Sequence, residues 1–173
     1  MRADDLDFLG IPIPDEGPVF MIAVIVHIAA GLTCVIAGIV AMVSRKGGPV
    51  HIAFGRVYVG GIAVVFLSMT VLAVIRWPHD NHLAILGLIA LVATAIGFAN
   101  RRRHLADTWH ILAMGTSYVV LLTAFYVDNG PFLQLWNLLP AWAFWVLPTI
   151  VGAPIIAWAI ERRKRKTIRH QTP

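Results

Sequence analysis

Five stretches of this chain, residues 19–43, 57–75, 83–99, 111–127 and 141–160, stay apolar for the length of a bilayer crossing. A helix needs roughly 20 residues to cross about 30 Å of hydrocarbon. Within that layer the backbone must satisfy its own hydrogen bonds, which leaves a helix or a closed barrel. The runs are continuous and lack the period-two alternation of barrel strands, so they read as helices. Of the 173 residues 58% are hydrophobic and 13% charged, about half the charged share of an average soluble domain. A chain of this size has too much surface to hide that apolar content in water. A single cysteine, Cys34, excludes a disulfide scaffold. The sequence predicts an all-α, polytopic integral membrane protein: an acidic segment 1–18, a five-helix transmembrane domain 19–160, and a basic tail 161–173.

Basic residues fix the expected sidedness. Arg45, Lys46 and Arg56 lie between the first two spans, Arg101, Arg102 and Arg103 between the third and fourth, and Arg162, Arg163, Lys164, Arg165, Lys166 and Arg169 after the fifth, which leaves only Arg2 and Arg76 for the other side. Positive loops stay in the cytoplasm, so the C-terminus is expected inside and the N-terminus outside, in the cytoplasmic (inner) membrane of a bacterium. Most acids, including Asp4, Asp5, Asp7, Asp15, Glu16, Asp80 and Asp128, fall on the outer side. The first apolar run is too long, and its flank too acidic, for a cleavable signal. A net charge of +5 reads here as attraction of the tail to anionic lipid headgroups, with no nucleic-acid partner. The connection 128–140 carries Pro131, Phe132, Leu135, Trp136, Leu138 and Leu139 and is expected to lie along the outer interface, with Trp136 and Trp142 in the aromatic belt. Pro148 and Pro154 are expected to kink the last span.

Ionisable groups inside a membrane are costly and tend to mark function, which singles out histidines. His79, His82, His104 and His170 fall in turns or the tail, where water solvates them. His27 lies within the first span, and His51 and His110 just before the second and fourth, at matching depth on the cytoplasmic side. The helix carrying His51 can start near Pro49, a favoured first-turn residue. Each histidine heads a stripe at helical spacing: Gly31, Cys34 and Gly38 after His27; Gly55, Tyr58, Ile62 and Met69 after His51; Met114, Ser117 and Leu121 after His110. Small residues let membrane helices approach closely and leave room for a planar group. Imidazoles from facing helices at equal depth are what a b-type haem requires. The candidate cofactor residues are therefore His51 and His110 as axial ligands to a haem iron, His27 as a third, Tyr58 on the His51 stripe, and Arg56 to steady a propionate or a lipid phosphate. Met69, at a depth similar to His27, is its candidate partner.

No Walker, Rossmann, zinc-ribbon or nucleophile-elbow pattern occurs, and no complete catalytic motif is visible. If the chain is redox-active, it is a membrane electron-transfer protein. Two further readings stay open: a non-catalytic accessory or assembly subunit acting with a membrane partner, and a small-solute carrier or channel, which five helices would have to build as a homo-oligomer. The run His27-Ile-Ala-Ala-Gly31 followed by Lys46-Gly47-Gly48-Pro49-Val50-His51-Ile52-Ala53-Phe54-Gly55-Arg56-Val57-Tyr58 resembles a family of uncharacterised bacterial predicted membrane proteins, a domain of unknown function, in its H-x-x-x-G and K-G-x-x-x-H-x-x-x-G-R-x-Y patterns. The resemblance covers roughly the first four spans. It implies a helical integral membrane protein and carries no established activity.

The charge map makes a direct prediction. A fluorescent reporter fused after Pro173 is expected to shine, and a phosphatase that works only in the periplasm to stay silent there; the opposite pair of results reverses the topology.

Overall fold

The computed structural model describes residues 6–8, 11–13, 16–103, 106–134, 136 and 138–169, with side chains described from 16 to 165. Asp4, Asp5, Asp15, Arg2, His104, Leu135 and His170 lie outside the described residues, as do the side chains of Asp7, Lys166 and Arg169. A short antiparallel hairpin, β1 (Leu6–Phe8) and β2 (Ile11–Ile13), pairs Leu6 with Ile13 ahead of the helices. Five helices follow: α1 (Pro18–Val43), α2 (Pro49–Ile75), α3 (Asn81–Arg102), α4 (Asp107–Asn129) and α5 (Ala141–Arg169). All five are long and apolar enough to cross a membrane. A single 3-10 turn, Gly130–Phe132, follows α4.

The helices are longer than the apolar runs that announce them. Hydropathy ends where charge begins, whereas helical hydrogen bonding continues through charged residues whose long side chains reach the interface. α2 starts at Pro49, where the proline favours a first turn, eight residues before its apolar run, so Arg56 sits about 10 Å along it at 1.5 Å per residue. α4 starts at Asp107, which puts His110 in its first turn. α5 runs unbroken past Pro148 and Pro154 to Arg169. The loss of backbone bonds at proline is tolerated in such helices where neighbours pack around them; Pro148 is buried.

Short turns force antiparallel neighbours. Between α1 and α2 the chain reverses through Gly47, whose φ of 77° excludes most side chains, and the Gly48 N–H donates to the Arg45 carbonyl at 3.0 Å. The last carbonyls of α1 lack helical partners; Lys46 Nζ donates to those of Ala41 and Met42. Between α3 and α4, Asn100 Nδ2 donates to the Ala106 carbonyl at 3.0 Å. Asp107 then receives Arg101 of α3 and Arg163 of α5, which ties three helix ends together on the arginine-rich side. At the opposite end Arg76 pairs with the buried Asp80 at 3.4 Å.

The result is two hairpins, α1–α2 and α3–α4, packed side by side through α2 and α3, with α5 lying on α4. The interior is small-residue packing. Cys34 and Ala37 of α1 meet Tyr58, Ile62 and Val65 of α2 and Leu121 of α4. The outward faces are isoleucine, valine and leucine: Ile22, Ile25, Leu67 and Ile150 are each more than 60% exposed. Patches of that extent are untenable in water and ordinary against lipid. The aromatic side chain of Trp142 is exposed at the start of α5, while Trp136 packs on Tyr126 with ring centroids 5.2 Å apart.

Gly38 tests the close packing. A Cβ there would stand 2.4 Å from Tyr118 Cε2, and Tyr118 is held by its hydroxyl bond to the Val35 carbonyl. Gly38→Ala is expected to cost about 1–3 kcal/mol by overpacking. Gly60→Ala, whose Cβ meets nothing within 4 Å, is expected to cost none. Thermal unfolding midpoints in detergent check the pair, and equal midpoints would refute the packing.

Candidate functional site

His51 is the third residue of α2 and His110 the fourth of α4. Both helices start from the arginine-rich side, so the two imidazoles stand at one level. Their ring centroids lie 6.4 Å apart with planes at 76°. His51 Nδ1–H donates to the Ala41 carbonyl of α1 at 2.8 Å, and His110 Nδ1–H to the Gly97 carbonyl of α3 at 2.9 Å. Each histidine thus clips its helix to the preceding one. A carbonyl acceptor fixes the tautomer, because only an N–H can serve it, and leaves Nε2 with a lone pair. With both Nδ1 atoms engaged, the two Nε2 atoms are the ones that would hold a metal group.

The donor set narrows the metal. Among the described residues no group of three or more His, Cys, Asp or Glu side chains could hold an ion. A bare zinc site needs three or four protein ligands. Two imidazoles suffice where a macrocycle supplies the four equatorial nitrogens and the protein adds only axial ligands. A Cβ on Gly55, one turn after His51, would meet nothing within 4 Å, whereas one on Gly97, whose carbonyl holds His110, would stand 2.8 Å from Met114 Sδ. Two imidazoles are the donor chemistry with which a protein holds haem iron.

Tyr58 and Ser117 lie seven residues beyond the two histidines, two turns deeper on the same faces. Tyr58 Oη and Ser117 Oγ are 2.9 Å apart, and Thr94 Oγ1 lies 2.6 Å from Ser117 Oγ. Tyr58 is 2% exposed and Ser117 is fully buried. The Tyr58 hydroxyl is thus engaged in a chain joining α2, α4 and α3, and Tyr118 stacks at 6.2 Å. Among the described residues no buried side-chain nitrogen or oxygen lacks a partner.

His27 stands apart from the pair. Its Nδ1 lies 3.0 Å from Ser68 Oγ, whose hydroxyl is within bonding distance of the Val64 and Val65 carbonyls. With the Ser68 hydrogen given to a carbonyl, His27 Nδ1–H is the donor, and its Nε2 is likewise left with a lone pair. The neighbour is Ser68, whereas Met69 packs away with Phe20, Ala23 and Leu72. His82 stacks on Trp145 at 6.0 Å. Arg56 is exposed and stands five residues from His51, about 140° round the helix. The cations that act on His51 are instead Lys46 and Arg101. Burial pushes the Lys46 ammonium below the usual lysine range. Lys46 and Arg101 appear in the sequence only as members of charge runs; their approach to His51 depends on how the helix ends fold back.

The hydroxyl chain yields a stability prediction. Ser117→Ala strands the Tyr58 hydroxyl and is expected to cost about 1–3 kcal/mol. Tyr58→Phe leaves Ser117 its bond to Thr94 and is expected to cost less. Detergent unfolding of the two variants checks the order.

Against protein-family models, curated proteins and solved structures, this arrangement has to be read on its own geometry, since no family model matches the chain and neither a curated protein nor a solved structure shows significant similarity to it.

Proposed function

We propose that the protein is a b-type haem-binding, electron-transfer protein of the membrane, in which His51 and His110 would hold the haem. The observation that carries this is the pair of imidazoles 6.4 Å apart, each with Nδ1–H committed to a backbone carbonyl. When bound, the haem would supply one-electron chemistry. The chain's own part is to hold and shield. The Ala41 and Gly97 carbonyls keep each ring in one tautomer and orientation, and hydrogen-bonded histidines are stronger ligands. Phe54, Leu91 and Met114 supply apolar packing that excludes water, and a dry surround limits reorganisation and tunes potential.

The charge map supports N-terminus out and C-terminus in, across the inner membrane of a bacterium, so the pair would face the cytoplasm. Exposed Arg102, Arg103, Lys164 and Arg165 on that side would meet anionic headgroups. The membrane-protein family that the Lys46–Tyr58 pattern resembles has no assigned activity, so the functional reading rests on the histidines. One observation favours a second reading. The same Nδ1 bonds clip each hairpin together, and every interior polar group described is paired, which also suits a helical accessory or assembly subunit working beside a membrane partner or a second copy.

A visible spectrum separates the two. Full-length protein purified in detergent after growth with haem supply, then reduced with dithionite, is expected to show a Soret band and a sharp α band. His51→Ala and His110→Ala are each expected to lose the six-coordinate spectrum, while His27→Ala keeps it. A colourless wild type dismisses haem and leaves the accessory subunit.

A further inference from the structure

The side of the bundle where α3 and α5 end is crowded with cations, and the carboxylates there are already engaged. Asp107 takes Arg101 of α3 at 3.1 Å and Arg163 of α5 at 2.8 Å, and Glu161 takes Arg165 at 3.6 Å. Among the described residues Asp107 and Glu161 are the only acids on that side. Two neighbouring arginines are held differently. The Arg102 guanidinium lies over the Phe98 ring, 5.0 Å from its centroid, and that of Arg162 over Trp158 at 5.1 Å. Both arginines are exposed, and neither has a carboxylate partner among the described residues.

α3 and α5 both run toward this side, so a ring four residues earlier lies about 5 Å, one turn, nearer the hydrocarbon. An arginine at a membrane boundary ordinarily extends its head to water. Arg102 and Arg162 do the reverse: each bends back along its helix to the face of an aromatic ring, an attraction that strengthens where water is scarce. Arg101 and Arg163 meet on one carboxylate, and the rings stand three and five residues before them. The two guanidiniums therefore lie within about one turn of each other in depth. A guanidinium laid on a ring keeps its N–H edge, the fork that matches paired phosphate oxygens. On α5 that edge opens to lipid, because Trp158 is exposed whereas Gly152 and Ile156 face α4.

We propose that Arg102 and Arg162 each hold the phosphate of an anionic phospholipid of this leaflet, so that the protein carries two such lipids at a fixed depth against α3 and α5. This rests on the attraction of the basic side to anionic headgroups and is independent of haem. Headgroup choice follows from the carboxylates. Phosphatidylethanolamine brings an ammonium that needs an acid, and Asp107 and Glu161 are both paired. Phosphatidylglycerol brings a net negative charge and no cation to place. Arg103 and Lys164, exposed and without a ring beneath them among the described residues, add charge but no fixed geometry.

The test is native mass spectrometry of the detergent-purified full chain titrated with phosphatidylglycerol or with phosphatidylethanolamine, counting bound lipids. The wild type is expected to take two phosphatidylglycerols about tenfold more tightly than phosphatidylethanolamine, the worth of one charge-assisted bond. Arg102→Gln and Arg162→Gln are each expected to lose one tight lipid, and the double variant both. Phe98→Leu and Trp158→Leu, which keep the charge, are expected to weaken the site on their own helix about threefold. Arg103→Gln combined with Lys164→Gln removes equal charge beside the two sites and is expected to keep both lipids. If that control loses as much as the Arg102, Arg162 double variant, only diffuse charge acts: the attraction stands and the two sites fall. Equal affinity of the wild type for the two lipids overturns the sites and the attraction together.

Discussion

Exclusion of water from the helix interfaces is the constraint on which this structure depends. In hydrocarbon no solvent is present to serve a stray donor, so each polar side chain between the helices must find a partner on another helix or on its own backbone. The fold meets this with bonds that also fix helix rotation. Tyr58, Ser117 and Thr94 join three helices through their hydroxyls, and Tyr118 reaches the Val35 carbonyl across to α1. Because apolar faces in lipid have little preference among rotations, these few directional bonds decide which residues meet.

The same logic accounts for the histidines. An imidazole at the start of a helix could turn to the headgroups. His51 and His110 instead turn inward, each donating to a carbonyl of the helix before it in the chain. That bond closes a hairpin, and it also determines which ring nitrogen is left with a lone pair. A structural role and a ligand role are therefore compatible in one side chain: Nδ1 serves the fold and Nε2 remains for chemistry.

How much of this was legible in the sequence depends on the kind of information required. Apolar length marks five spans without ambiguity, and helical offsets place Cys34, Gly38, Tyr58, Ile62, Ser117 and Leu121 on inward faces, where they are buried. Equal depth of His51 and His110 follows from counting residues from two helix starts on one side. Rotation about each helix axis, by contrast, is not encoded in hydropathy. Counting depth alone made Met69 the neighbour of His27, whereas Ser68, one residue and about 100° away, makes the contact. Arg56, five residues and about 140° round the helix from His51, is exposed. Lys46 and Arg101 were hidden for another reason: they act from helix ends, and where a helix ends in a charged segment is the part that an apolar window reads worst.

The hairpins are locally closed units, yet the histidine pair belongs to neither. His51 is fixed within α1–α2 and His110 within α3–α4, so their 6.4 Å separation is set wholly by how one hairpin seats on the other. That seating is controlled by contacts deeper in the bundle, chiefly the Tyr58–Ser117 bond and the fit of Tyr118 over Gly38. A change two turns from the imidazoles can therefore widen or narrow the gap between them without touching either ring. The interior hydroxyls and small residues are thus part of the pair's geometry, and the packing that keeps the bundle dry also sets the spacing of the two imidazoles.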